Sequence, residues 1–308
     1  MSKKVIFVVG PTASGKTSLG IALAKEFDGE IISADSMQIY KGIHIASAAP
    51  DIEEQNGIPH HLLEFLELDG SFSVADYTRL AKNKIDEIIS RGKTPIVVGG
   101  TGLYISALLD NTKFTDAKTD ESLRRRLEEK FETIGAEEML KELSAFDPES
   151  AARLHVNDKR RIIRCFEIYE TTGMTLTQQN ALSHLENVDF ESLVIGITYD
   201  DREKLYERIN LRVDLMLENG LLGEAKTTFD SRNQKGAFQA IGHKELYGFI
   251  NGECSLEEAT ELLKRQTRRY AKRQLTWFRR DDRINWILAD KGDNVAEEAI
   301  LMARKFLK

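Results

Sequence analysis

Val5-Ile6-Phe7-Val8-Val9 runs directly into Gly10-Pro11-Thr12-Ala13-Ser14-Gly15-Lys16-Thr17, and a stretch with Leu19, Ala22 and Leu23 at helical spacing follows. Five consecutive apolar, mostly β-branched residues suit a strand buried on both faces. The next eight match GxxxxGK[ST], in the strand–loop–helix context that the motif requires. Glycine-rich backbone can turn successive N–H groups toward phosphate oxygens. The helix start adds partial positive charge, Lys16 a full one, and the Thr17 hydroxyl a ligand for a divalent ion. The stretch therefore predicts a phosphate-binding loop in an α/β core. It leaves the phosphate open, because kinases, GTPases, ATPases and pyrophosphate-expelling transferases share it.

The rest of the composition narrows the class. With 308 residues, 30% charged, 41% hydrophobic and five prolines, the chain reads as a soluble, helix-rich globular protein. That length suits one large domain with a smaller one inserted or appended. A net charge of −7 argues against a generic nucleic-acid coat protein, although clustered positive residues could still bind RNA. No apolar run approaches the roughly 18 residues of a membrane span. Lys3-Lys4 before five apolar residues imitates a signal peptide, but the run is too short for an h-region. Cys165 and Cys254 have neither metal spacing nor a disulfide framework, so a reducing cytoplasm is expected.

Taken in order, Glu30–Gln38 reads as a strand running into a loop. Asp35 then lies just past a strand end, where an open parallel sheet has its ligand crevice; the same position also suits an Asx-turn residue. Residues 60–67 allow a short strand, and adjacent His60 and His61, without a carboxylate or cysteine pattern, read as structural. Val74–Arg91 has helical periodicity. Thr94–Tyr104 is a buried strand ending in glycines that admit close backbone approach, with Thr101 just beyond. The pattern so far is βαβα with a parallel sheet.

From about Asp116 to Val188 the alternation stops, and four helices are expected. Thr119 caps the first, residues 136–145 form the second, and Asp147-Pro148 opens the third. Asn157-Asp158 opens the fourth, which Gly173 closes. The fourth carries Lys159, Arg160, Arg161 and Arg164 beside an Ile162, Phe166, Tyr169 stripe, either as a contact face or as a solvated charge run.

The α/β pattern resumes with a strand at 193–199 and a helix from Asp200-Asp201 to Asn219. On that helix Arg212 falls inside the face of Leu205, Ile209 and Met216, with Arg208 at its margin. An inward arginine needs an anion or a carboxylate. A pyrophosphate would serve, as would an internal partner. Ser255 and Glu258 form a capping box for a helix reaching about Arg280, roughly 37 Å long. Lys264, Arg265, Arg268, Arg269, Lys272 and Arg273 share one half of it; Leu263, Thr267, Tyr270, Gln274, Trp277 and Phe278 share the other. A solvated face usually mixes charge signs, and this one has no acid from 264 to 280, which points to nucleic-acid backbone. A last strand at Ile284–Leu288 and a closing helix at Val295–Leu307 are expected.

With these residues in view, the chain resembles the tRNA dimethylallyltransferase (isopentenyltransferase) family nearly end to end. The motifs are GPTASGKT at 10–17, ISADSMQIY at 32–40, PHHLLE at 59–64, VVGGTGLY at 97–104 and NDKRRIIR at 157–164. RINLRVDLML at 208–217, QAIGHKEL at 239–246 and RRYAKRQLTWFRR at 268–280 complete the series. The resemblance implies a P-loop NTPase-like parallel sheet flanked by helices, built from 1–115 and 190–308, with an all-helical insertion domain at 116–189 that meets tRNA. It implies transfer of a dimethylallyl group from dimethylallyl diphosphate to N6 of the adenine just 3′ of the anticodon, with Mg²⁺ as cofactor. Asp35 is then the general base, with Thr101 at the reacting adenine and Lys16 completing the catalytic set.

By the same resemblance, Gly10, Pro11, Thr12, Ala13, Ser14, Gly15, Lys16 and Thr17 hold the diphosphate, Thr17 the metal, and Arg208 and Arg212 the departing pyrophosphate. Contacts to tRNA fall on Asp35, Ser36, Met37, Gln38 and Thr101, and on Lys159, Arg160, Arg161 and Arg164. They continue on Gln239, Ile241, Gly242, His243 and Lys244, then on Lys272, Arg273, Gln274, Trp277 and Arg279. The partners implied are the anticodon stem-loop of tRNA and the prenyl diphosphate, with no membrane and a monomeric chain. One motif departs: Ala46-Ser47-Ala48-Ala49-Pro50 stands where family members usually read Gly-Thr-Ala-Lys-Pro, and the lost lysine puts RNA contact from that loop in question. Prenylation of free adenine nucleotides, or a small-molecule kinase using ATP at the same loop, are the alternatives.

Overall fold

The computed structural model describes residues 3–112, 120–183, 188–231, 236–292 and 294–308, the side chains of Ser183 and Gln239 excepted. The chain divides into two compact units, Met1–Leu109 with Asp189–Lys308, and Asp110–Val188. The first unit holds six strands: β1 (Lys3–Val9), β2 (Gly29–Ser33), β3 (His60–His61), β4 (Thr94–Gly99), β5 (Phe190–Thr198) and β6 (Ile284–Leu288). Its helices before the second unit are α1 (Lys16–Glu26), the one-turn α2 (His44–Ser47) and α3 (Ile52–Gln55), α4 (Val74–Ser90) and α5 (Gly102–Leu109). The second unit holds α6 (Glu121–Phe146), α7 (Pro148–Arg153), α8 (Lys159–Thr172) and α9 (Leu176–Ser183). The first unit then resumes with α10 (Arg202–Glu218), α11 (Leu221–Thr228), α12 (Tyr247–Ile250), α13 (Leu256–Phe278) and α14 (Val295–Leu307).

All six strands are parallel, in the order β3-β2-β4-β1-β5-β6. β1 lies inside the sheet between β4 and β5, and Val5 to Val9 are each wholly buried. Burial on both faces explains why the strand reads as an unbroken apolar run. Ile6 and Val8 point toward α1 and α14, joining Leu19, Leu23, Ala299 and Ala303 in one cluster. Their neighbours alternate to the opposite face, and α4 packs on β2 and β4 and against α5. Full burial of one such aliphatic side chain stabilises by about 1.5–3 kcal/mol. The strand therefore anchors the loop that follows it.

Register sets where the site forms. Val9 pairs with Gly99 of β4, and Ser33 of β2 pairs with Val98. The ends of three strands are thus level, and Gly10, Ala34 and Gly100 leave the sheet along one edge. The order reverses at β1, the point where open parallel sheets place their ligands.

In the second unit α6 is two helical arms broken at Gly135 (φ 82°, ψ 170°). Its N-cap is Asp120, which accepts from the amides of Ser122 and Leu123; Thr119, expected as the cap, lies outside the described residues. Asp147 caps α7 and also takes the Thr177 hydroxyl at 2.6 Å, and Gly173 ends α8 in the left-handed region. Leu127, Met139, Leu143, Ile162, Ile163, Cys165 and Phe166 form this unit's own core.

The expected strand at 60–67 shortens to His60–His61. Leu62 and Glu64 take φ of 58° and 44°, which a strand cannot accommodate. Both histidines are structural in the geometry: His61 Nε2 and Arg91 each meet the buried Glu30 carboxylate at 2.6 Å, and His60 bonds the Ile58 carbonyl. Helices α2, α3, α5, α9, α11 and α12 were not expected from periodicity, and the strand expected over Thr94–Tyr104 ends at Gly99, with Gly102 to Tyr104 in α5. Among the described residues no helix is long and apolar enough to cross a membrane.

Candidate active site

The Gly10–Thr17 loop leaves β1 through a glycine that nothing else can replace. Gly10 has φ 147°, and a Cβ there would sit 2.4 Å from the Ile197 carbonyl oxygen. Ala13 (φ 61°) and Gly15 (φ 97°) complete the turn, and α1 begins at Lys16. The first amides of α1 have no partner within the helix and open toward the loop. Lys16 donates to the Pro11 carbonyl at 2.6 Å. Part of its side chain reaches solvent, yet crowding by protein pulls its pKa down to about 7, and the Arg212 charge adds to the fall while Asp35 opposes it.

Helix α10 supplies both expected arginines. Leu205, Ile209 and Val213 bury one side of it, and Arg212 follows them inward to the cavity beside Lys16. Burial lowers the Arg212 pKa and Asp35 partly restores it. Arg208 lies at the margin, its Nε donating to the Ala13 carbonyl at 3.0 Å, its guanidinium over the Tyr199 ring.

Asp35 follows β2 directly. One of its carboxylate oxygens accepts the Met37 amide at 2.9 Å, an Asx turn, while the residue also lines the cavity. Both expectations for this position hold together. Thr101 accepts the Ser36 amide at 3.0 Å, and its own amide donates to the Ala34 carbonyl at 3.1 Å. The Tyr270 hydroxyl, raised well above its usual pKa by burial, interacts with the Thr101 and Gln274 side chains.

The cavity of about 340 Å³ therefore has a polar floor of Lys16, Thr17, Asp35, Arg212 and Tyr270, and an apolar wall that includes Ala48, Val98, Val213, Met216 and Leu263. A wider groove of about 980 Å³ adjoins it along the outside of the loop, between α1 and α10. Cations, an acid and a small apolar wall in one cavity suit an apolar group esterified to a diphosphate. Among the described residues no group of three or more His, Cys, Asp or Glu side chains could hold a metal by itself.

Other expected contact residues separate into two sets. On α13, Arg265, Arg269, Lys272 and Arg273 are exposed, as is Arg279 just beyond it. Arg268 instead donates to Asn210 at 2.6 Å, and Lys264 pairs with Asp214 at 2.8 Å. Trp277 donates to Ser106 at 3.0 Å and keeps one edge exposed. Ile241, Gly242 and Lys244 line the cavity; the Gln239 side chain lies outside the described residues.

Three expected RNA contacts have side chains already engaged inside the unit. His243 is wholly buried and bonds Glu224 at 2.8 Å and Thr228 at 3.0 Å. Gln274 is 5% exposed and spends its carboxamide on Thr12 and Gly100. Gln38 takes the Ser33 hydroxyl at 2.9 Å and donates to the Ala48 carbonyl at 3.1 Å. In the second unit, Lys159 pairs with Glu132, Arg161 with Asp158 at 3.8 Å and Arg164 with Glu167 at 3.3 Å, while Arg160 is exposed.

Sequence reasoning missed Glu224. Its two oxygens accept the Ile45 amide at 2.7 Å and the Ala46 amide at 2.9 Å, and the second also takes His243. Burial pushes its pKa up, but His243 and the two amides outweigh that and hold it below the usual value. The segment that departs from the family pattern is therefore held through its backbone. No local signal marks this role.

Residues 38–281 match the family described as IPP transferase. The tRNA dimethylallyltransferase of Acetivibrio thermocellus is 47% identical over 98% of this chain and 96% of its own length. That of Bacillus subtilis is 48% identical over 92% and 90%. Among solved structures, the full-length tRNA isopentenylpyrophosphate transferase of Bacillus halodurans superposes with a TM-score of 0.71 at 41% identity, covering 99% of this chain and 95% of that one. A eukaryotic dimethylallyltransferase described as acting on tRNA gives 0.83 at 32% identity, over 99% and 80%.

Proposed function

The chain belongs to the IPP transferase family, and from that premise we propose that it is a tRNA dimethylallyltransferase. It moves the dimethylallyl group of dimethylallyl diphosphate to N6 of the adenine just 3′ of the anticodon and releases pyrophosphate. The observation that carries this reading is one cavity in which Lys16, Thr17 and Arg212 meet Asp35 and a small apolar wall.

The exocyclic amine is a weak nucleophile because its lone pair is delocalised into the ring. As the N–C bond forms, Asp35 takes a proton from N6, a contribution of typically about 10²–10⁴-fold. As the C–O bond breaks, the loop amides, Lys16, Arg208 and Arg212 neutralise the charge left on pyrophosphate. Thr101 steadies the adenine beside Asp35. The Thr17 hydroxyl lines the cavity as a hard oxygen donor and, together with the oxygens of a bound diphosphate, would suit Mg²⁺, which prefers such ligands. When bound there it would add charge neutralisation on the diphosphate. The target base is stacked in the RNA and must be flipped out, while the exposed arginines and lysine of α13 hold the phosphate backbone. We further propose that the chain acts as a monomer in the cytoplasm.

The test is incubation with an unmodified anticodon stem-loop and labelled dimethylallyl diphosphate, followed by mass analysis of nucleosides. N6-dimethylallyladenosine at the position 3′ of the anticodon is expected. AMP prenylated as efficiently as the stem-loop would move the substrate to free nucleotides. ATP consumption with a phosphorylated product would make the loop a kinase site.

A further inference from the structure

Gln274 links the two halves of the site. Its Oε1 accepts the Thr12 amide at 2.8 Å, inside the Gly10–Thr17 loop, and its Nε2 donates to the Gly100 carbonyl at 2.9 Å, one residue before Thr101. Those partners lie 262 and 174 residues away in sequence. Thr12 offers only a donor and Gly100 only an acceptor, so one orientation of the carboxamide satisfies both. Gly100 makes room for it, since a Cβ there would stand 2.2 Å from Nε2. The Tyr270 hydroxyl, one turn earlier on α13, interacts with both Gln274 and Thr101. Gln274 is 5% exposed, so water does not compete for these bonds.

We propose that Gln274 is a positioning residue that fixes the spacing between the diphosphate loop and the Thr101 turn, and hence between the reacting carbon and the reacting amine. The inference rests on the reading above that donor and acceptor meet in this cavity. Gln274 lines the same cavity, but its carboxamide is spent on Thr12 and Gly100, and it acts through them. Misplacing reacting groups by about 1 Å can cost on the order of 10²-fold in rate without loss of binding. Losing the link should therefore lower kcat and spare both KM values.

The experiment compares wild type with Gln274→Glu and Gln274→Met in steady-state prenylation of the stem-loop. It adds calorimetric titration with inorganic pyrophosphate and a melting curve. Glu keeps the bond from Thr12 but sets an oxygen against the Gly100 carbonyl; Met removes both bonds at similar volume. The expected result is a fall in kcat of about 10–100-fold in both variants, with both KM values within about threefold of wild type and the fold intact. For Met, pyrophosphate affinity should also stay within about threefold, since that side chain adds no charge beside the loop. Unchanged kcat in both variants would overturn the proposal. So would a loss confined to KM, or a loss that follows the unfolded fraction alone. If wild type itself fails to prenylate the stem-loop, the functional reading falls and takes this inference with it.

Discussion

Asp35 carries the heaviest chemical claim of any single residue. Asp35→Ala should reduce kcat by about 10²–10⁴-fold and leave stem-loop affinity within about threefold; filter-binding and single-turnover assays read the two quantities, and a large loss of affinity would contradict the general-base role. Lys16 makes a separate prediction through pH. Its pKa in the free protein is drawn down to about 7, chiefly by burial and then by Arg212. Above that pH the side chain is increasingly neutral, and binding a diphosphate must recharge it. Dimethylallyl diphosphate should therefore take up protons on binding between pH 7 and 9, and its affinity should weaken as pH rises across that window. Calorimetry in two buffers of different ionisation enthalpy measures the uptake, and Lys16→Met should abolish it. Asp35, Thr101 and Arg212 were legible because each sits at a strand end or on a helix face whose period can be counted. The internal bonds of Gln274, Glu224 and His243 were not legible, for the opposite reason. Their partners are distant in sequence, and a buried polar side chain on an apolar stripe looks the same whether it faces a ligand or the backbone.

Elements with strong local periodicity were readable nearly to the residue. β6 spans Ile284–Leu288 and α14 spans Val295–Leu307, as their patterns require, and the Ser255–Glu258 capping box opens α13. Short elements were not readable, because α2 and α3 have too few residues for a period and rest on contacts such as the Glu224 grip on Ile45 and Ala46. Glu224→Ala would leave two amides and His243 without their acceptor, so a loss of about 2–4 kcal/mol in unfolding free energy is expected. Glu224 is held below its usual pKa. Its share of stability is therefore present above the unfolded carboxylate value near 4.5 and lost as pH falls through the lower folded value. Denaturant melts of wild type and variant across that acidic range should converge. On α13 the exposed Arg265, Arg269 and Lys272 are placed to release counterions. Neutralising all three should flatten the salt dependence of stem-loop binding by roughly two units in the log–log slope, at about 0.7 per charge. Neutralising Arg268 should act on stability instead, through its bond to Asn210.

At the scale of the whole chain, the parallel sheet, the reversal of strand order at β1 and the helical Asp110–Val188 unit together give a fold shared with the IPP transferase family. The loop at its centre was readable from the first line of sequence, but what the loop holds was not. Composition and spacing are the same whether a phosphoryl group is transferred or a pyrophosphate departs. The distinction comes from the family to which the chain belongs, and the lining of Arg212, Asp35 and apolar side chains in one cavity accords with it. The central claim is that this loop cradles a leaving group, with bond cleavage on the carbon side of the diphosphate. Dimethylallyl diphosphate labelled with heavy oxygen at the bridging position tests it most directly, by mass analysis of both products after reaction with the stem-loop. The account predicts all of the label in pyrophosphate and none in the prenylated adenosine. Label retained on the dimethylallyl fragment, with phosphate on the RNA, would contradict it.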